Sequence, residues 1–158
     1  MHRDNPASLI EATFRRIETE RWAGMSMLNP QLAVAAIGFA QKTDDWRGVL
    51  LTPWGINLLL LPAVPDWPVP ATHERAFREY PAGTFAFLPN HEEGLGDYLA
   101  CPLINDMSHF KDQETAVMTA QACLIALDLA PPQPAPEQAD PAAPASPGRR
   151  SFFIRPAK

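Results

Sequence analysis

Cysteine is scarce in this chain: 158 residues hold two, Cys101 and Cys123, and no C-x-x-C spacing joins them. A disulfide framework and a zinc-type ligand set are excluded on that count, and a reduced compartment is the simpler expectation. Basic residues are outnumbered, 13 Lys and Arg against 18 Asp and Glu, for a formal charge of -5. A nucleic-acid partner calls for the opposite surplus, so none is expected. Glycine is sparse too, and Gly94-Leu-Gly96 lacks both the third glycine and the strand-to-helix setting of a phosphate loop. His73, His91 and His109, or Cys101 with His109, have no spacing that a metal or hydrolase signature requires. The expectation is therefore no catalytic residue, no metal and no cofactor.

No uninterrupted apolar run approaches the roughly 20 residues of a membrane span. The densest, Trp46 to Pro62, is broken by Arg47, Thr52, Asn57 and the Pro53-Trp54-Gly55 triplet, so no stable membrane insertion is expected. The opening Met1-His-Arg-Asp-Asn-Pro6 leads into a charged amphipathic segment without the apolar region of a secretory signal, which points to the cytoplasm. No internal repeat is visible at any period.

What the chain does have is a core. Trp46 to Thr52 and Ile56 to Pro62 read as two buried strands turning at Pro53-Trp54-Gly55, and Leu58 to Leu61, with no polar alternation, needs cover on both faces. Leu32 to Gln41 is apolar enough for helix or strand; the Thr43-Asp44-Asp45 turn and the immediate return into Trp46 favour a hairpin, giving a three-stranded meander. Before it, Asn5-Pro6 is a helix start, and Ile10, Phe14 and Ile17 fall on one face of a helix over Pro6 to Trp22. After it comes a proline-rich connection from Pro62 to Pro81 with a short helical stretch at His73 to Tyr80. Strands follow at Gly83 to Leu88 and Tyr98 to Ile104, around a polar turn at Asn90 to Gly96. A second helix spans Lys111 to Leu129, with Asp112 and Glu114 at its start and an inner face of Ala116, Val117, Ala120, Cys123, Leu124 and Leu127.

The pattern is α+β: an antiparallel-rich sheet with two long helices packed on one face, in a domain from Asp4 to Leu129. Residues 130 to 158 change composition to Pro, Ala, Gln and Ser, expected to form a disordered tether. That tail ends in Gly148-Arg-Arg-Ser-Phe-Phe-Ile-Arg155. Arg149 and Arg150 followed by Phe152, Phe153 and Ile154 look like a twin-arginine export motif at the wrong end of a chain. Two readings stand, a solubilising basic appendage and an imitation of a signal peptide that occupies the groove meant for one.

Two tryptophans are candidates for partner contact as well as for packing: Trp54 at the turn and Trp67 in the proline-rich connection. Carboxylates in the polar turn, Glu92, Glu93 and Asp97, are candidate receivers for cationic side chains.

Taken together, Met27-Leu-Asn-Pro30, Ala36-Ile-Gly-Phe39, Trp46-Arg-Gly-Val-Leu-Leu-Thr-Pro-Trp54, Asn57-Leu-Leu-Leu-Leu-Pro62 and Tyr80-Pro-Ala-Gly83 resemble the HybE family of [NiFe]-hydrogenase assembly chaperones, in order and in spacing. The resemblance runs from about Glu11 to Leu129, and Gly148 to Arg155 is similar to that family's C-terminal arginine-pair block. The chain departs from the family at Cys101-Pro-Leu-Ile-Asn-Asp-Met107, where Cys-Ser-Leu and a Ser-Pro-Met segment are usual. It also lacks the cysteine pairs of the rubredoxin domain that some members carry. The resemblance implies a non-enzymatic chaperone that contacts the small-subunit precursor of a hydrogenase, its twin-arginine signal peptide, or the large subunit. The competing readings are a structural subunit of the hydrogenase and, more remotely, an enzyme using Cys101 or a histidine.

Overall fold

The computed structural model describes residues 1–130. The expected tether and its Arg149–Phe153 block lie outside the described residues. Two helices and six strands follow in the order α1 (Ala7–Ile17), β1 (Ala35–Lys42), β2 (Asp45–Thr52), β3 (Gly55–Pro62), β4 (Ala76–Tyr80), β5 (Gly83–Glu92), β6 (Gly96–Ile104) and α2 (Gln113–Leu127), with a π-helical turn, Glu18–Trp22, continuing α1. All six strands form one sheet in the order β1-β2-β3-β6-β5-β4, every neighbouring pair antiparallel. It is two meanders joined where β3 lies against β6.

The first meander is as the apolar pattern dictates. Lys42 pairs with Asp45 and Thr52 with Gly55, so both connections are two-residue turns. Thr52 Oγ1 closes the second by donating to the Gly55 carbonyl at 3.0 Å. Every residue from Leu58 to Leu61 is at most 1% exposed, and the sheet is covered on both sides there. Alternation then sorts the side chains. Val49, Leu51, Leu58 and Leu60 join Phe87, Leu99, Cys101 and the α2 residues Ala116, Ala120 and Leu127. Trp46, Leu50, Leu59 and Leu61 join Tyr98 and the α1 residues Ile10, Phe14 and Ile17. The two helices thus occupy opposite faces, not the one face expected from sequence. A strand pair apolar on both sides demands cover on each, and there is one helix for each.

A second correction concerns His73 to Tyr80, where the expected short helix is replaced by strand β4 over Ala76–Tyr80. Its register with β5, from Ala76↔Phe87 to Tyr80↔Gly83, gives those residues hydrogen-bonding partners that local helix preference cannot match. β5 changes partner midway: Gly83–Phe87 pairs with β4, and Leu88–Glu92 pairs with β6. The polar turn shrinks accordingly to Glu93-Gly94-Leu95.

That change of partner lets the sheet curl around α2. β4 swings back so that the Tyr80 ring lies under the Arg47 guanidinium of β2, 5.5 Å from centroid to Cζ. Arg47 also donates two hydrogen bonds to Asp128 at the end of α2, at 3.1 and 2.7 Å, and Ala82 N donates to the Leu127 carbonyl at 3.2 Å. Burial pushes the Tyr80 hydroxyl up to about 12. The bonds from Arg47 hold the Asp128 carboxyl below the usual carboxylate range. A depressed folded-state pKa contributes stability above the unfolded value and loses it as pH falls through the folded one. The Asp128 contribution is therefore expected intact at neutral pH and lost below about pH 4. Asp128→Asn should accordingly flatten the acid limb of the urea-midpoint profile between pH 5 and pH 2. An acid limb unchanged in the variant would assign that limb to other carboxylates.

Candidate partner-binding surface

Three neighbouring hollows, linked pairwise by shared wall residues, run from Trp54 to Trp67 and together form a groove. At the first end, Trp54 stands on the β2–β3 turn and stacks on Trp22 of the π-helical turn, ring centroids 5.0 Å apart and planes 7° from parallel. Beside it, on the α1 face, is a hollow of about 220 Å³ whose walls include Phe14, Trp54, Asn57, Leu88, Asn90 and Tyr98. Its floor is apolar, and two amide side chains supply the polar contacts. The next hollow, about 120 Å³, shares Asn90 and adds Val69, Pro70, Pro89, His91 and Asp97. A third, about 250 Å³, shares Val69, His91 and Asp97 and is closed by Met1, Val64 and Trp67.

The groove exists because of the partner change in β5. Beyond Phe87, β5 has no β4 beside it, so the edge of Leu88–Glu92 faces the proline-rich connection. That edge is blunted against strand addition: Pro89 has no N–H, and Asn90 Nδ2 donates to the Leu88 carbonyl at 3.1 Å. Side-chain pockets are what it offers. Leu88 and Val69 stand 41% and 44% exposed along it.

Of the residues singled out from the sequence, Trp54, Trp67 and Asp97 line this groove, and Glu92 and Glu93 do not. Trp54 lines one end. Trp67 lines the other but is only 8% exposed, its ring in the core on the α2 side and its Nε1 donating to Asp45 Oδ2 at 3.4 Å. Burial raises the Asp45 carboxyl, against the pull of that bond. Asp97 sits in the middle, its Oδ1 2.9 Å from His91 Nδ1. Glu92 is taken up by Arg21, which donates two bonds at 2.9 and 2.7 Å and ties the β5–β6 turn to the π-helical turn. Glu93 presents its carbonyl to Arg16 at 3.2 Å, and its side chain is exposed. Of the three carboxylates proposed as receivers, Glu92 and Asp97 already have cationic or imidazole neighbours.

Sequence reasoning passed over a second concavity. Ser26–Gln31 and Asn105–Lys111 wall a cleft of about 750 Å³. Asn29 pins the two segments together: its Nδ2 donates to the carbonyls of Met107 (2.7 Å) and Phe110 (2.8 Å), and its Oδ1 accepts from Gln31 N (2.9 Å). Asn29 entered the sequence reading only within the Met27-Leu-Asn-Pro30 block, and its long-range partners were not legible there. Met27 at the cleft mouth and nearby Met25 are 59% and 48% exposed, adaptable apolar contacts of the kind found at docking surfaces.

Cys101 belongs to the core beneath α2, and burial raises its thiol, the opposite of what a nucleophile needs. His109 lies 3.6 Å from Asp106, and both are exposed. Among the described residues no group of three His, Cys, Asp or Glu side chains is placed to hold a metal ion, and no helix is long and apolar enough to cross a membrane.

The described residues thus form an α+β domain whose curled antiparallel sheet carries a run of partly apolar surface hollows. The sequence model of the family described as "[NiFe]-hydrogenase assembly, chaperone, HybE" matches residues 5–155, and the chain belongs to that family. The hydrogenase expression/formation protein HupT of Azotobacter chroococcum is 36% identical over 129 residues, covering 80% of this chain and 85% of that protein. The probable rubredoxin HupJ of Rhodobacter capsulatus is 35% identical over 127 residues, 78% of this chain, and the chain spans only 45% of its length. The solution structure of HybE from Escherichia coli has the same fold, with a TM-score of 0.67 at 23% identity, covering 99% of this chain and 94% of that one.

Proposed function

We propose that this protein is a chaperone of [NiFe]-hydrogenase assembly that holds a subunit precursor in the cytoplasm before export. The match to the assembly-chaperone family along nearly the whole chain carries this reading. The expected partner is the small-subunit precursor, held through its twin-arginine signal peptide, with the large subunit as a second partner. The groove from Trp54 to Trp67 suits such a segment. A signal peptide is an extended cationic stretch followed by an apolar one, and the groove presents the exposed Leu88 and Val69 together with Asp97, on a body whose charge over residues 1–130 is -5 minus +2, or -7. Cations are attracted before contact, and the apolar part then supplies the burial.

Calorimetry with the full chain and a small-subunit precursor, with and without its signal peptide, tests this. Binding to the complete precursor should weaken by about tenfold or more, about 1.4 kcal/mol, in a Val69→Glu/Leu88→Glu variant that keeps its melting temperature, since the apolar part of the segment would have to desolvate the new carboxylates. Equal affinity for precursors with and without the signal would reject that segment as the ligand. Undiminished affinity of the groove variant would move the site elsewhere.

A further inference from the structure

The outer face of α2 is built unlike the surface of an ordinary amphipathic helix. Its inner side is filled by Ala116, Ala120 and Leu127, with Val117 and Leu124 half-buried, so the opposite side should carry charge. Instead no Asp, Glu, Lys or Arg occurs between Glu114 and Asp128. Met118 is 61% exposed, Ile125 64% and Leu129 59%, and with the exposed Ala122 they follow one another at i, i+4, i+7 and i+11 along a single stripe. Glu114, one turn before Met118 on the same side, gives the stripe an acidic end. An apolar helical stripe presented to water marks a docking surface.

We propose that the occupant of this stripe is the chain's own C-terminal block, Arg149 to Arg155. Three observations select it. The chain leaves the described structure at Ala130, directly beyond Leu129, so everything that follows is tethered to the end of the stripe. Residues 131–158 contain only three large apolar side chains, Phe152, Phe153 and Ile154, consecutive and flanked by Arg149, Arg150 and Arg155. Their charge complements the acidic end of the stripe at Glu114 and the body as a whole: the 131–158 segment is +2 by four basic and two acidic residues, whereas residues 1–130 are -7.

Geometry permits the return. Met118 lies about 18 Å from Ala130 along the helix. Twenty-one residues, the number from 131 to 151, are enough to cover that distance, since a flexible chain of that length has an end-to-end distance of about 25 Å. A tether of this length supplies an effective concentration of about 1 mM, so half-occupancy needs only a millimolar intrinsic affinity. Phe152 and Phe153 seat on Met118 and Ile125, and Arg149 or Arg150 reaches Glu114. The stripe is then withheld from other chains until a competitor displaces the block.

Methyl-detected NMR on the full chain decides it. In Phe152→Ser/Phe153→Ser, which alters nothing in the described fold, the Met118 and Ile125 methyl resonances should move while those of Leu88 and Val69 stay in place. In Met118→Glu the Ile154 methyl should shift to its position in a free peptide of residues 148–158. Unmoved Met118 and Ile125 resonances overturn the proposal. So does movement confined to Leu88 and Val69, which would seat the block in the groove. Loss of the effect on dilution would likewise overturn it, because the occupant would then be a second copy's tail.

Discussion

Gly48→Ala will destabilise the domain by about 1–3 kcal/mol, the cost of overpacking a filled core, although its backbone tolerates any residue. Gly48 lies in the middle of β2, on the α1 side between Trp46 and Leu50, and the Phe39 ring occupies the space its missing side chain leaves. A Cβ there would meet three atoms of that ring, with Phe39 Cδ1 at 2.7 Å and two others closer. Phe39 reaches this position because β1 slips register between Ile37 and Ala40, with Gly38 at φ +67°, so the ring turns inward over its neighbour. It is an aromatic side chain covering a strand glycine. Urea unfolding of a double-mutant cycle checks the mechanism. Phe39→Ala alone should cost about 3–5 kcal/mol, and in its background Gly48→Ala should cost almost nothing. An equal penalty in both backgrounds would show that the ring is not what alanine strikes.

Much of the fold was legible because the strongest signals were local. The turn signals Thr43-Asp44-Asp45 and Pro53-Trp54-Gly55, each of which the structure narrows to two residues, marked out the first meander, and the stripe Ile10, Phe14, Ile17 marked the buried side of α1. The inner face assigned to α2 from spacing is the face the structure buries or half-buries. What was illegible depended on partners distant in sequence. β2 and β3 are apolar on both sides, so nothing in them says which helix covers which face. Arg75 to Tyr80 has helix-compatible composition, and only the ladder to β5 makes it a strand.

The same division holds for the candidate surface. Trp54 was visible as a turn residue, but its groove depends on Leu88 and Asn90, which are wall residues only because β5 changes partner at Phe87. Trp67 was legible as an anchor by type, yet its ring is mostly committed to the core. The stripe on α2 was present in the sequence as an absence of charge. Its meaning required knowing which side of the helix the sheet had taken.

Asn29→Ala is expected to cost about 2–4 kcal/mol: it leaves the buried Met107 carbonyl without its partner, at about 1–3 kcal/mol, and adds a smaller loss at the part-buried Phe110 carbonyl and Gln31 amide, which water can reach. Asn29 is 8% exposed, and its backbone is held as well, N–H donating to the Pro53 carbonyl at 3.0 Å and carbonyl accepting from Leu32 N at 3.1 Å. The side chain therefore fastens the Met107–Phe110 segment to a loop that is itself fastened to the β2–β3 turn. Asn29→Asp separates hydrogen bonding from packing, since it keeps the shape but aims a carboxylate oxygen at two carbonyl oxygens. It should be at least as destabilising as alanine at pH 7. Because Met107 is 2% exposed and belongs to the core under α2, loosening its backbone should spread. Amide exchange is expected to accelerate over residues 28–32 and 107–111 well before the β2–β3 ladder responds. An Asp variant as stable as the parent, with unchanged exchange in both segments, would remove Asn29 as the pin and leave the cleft walls held by packing alone.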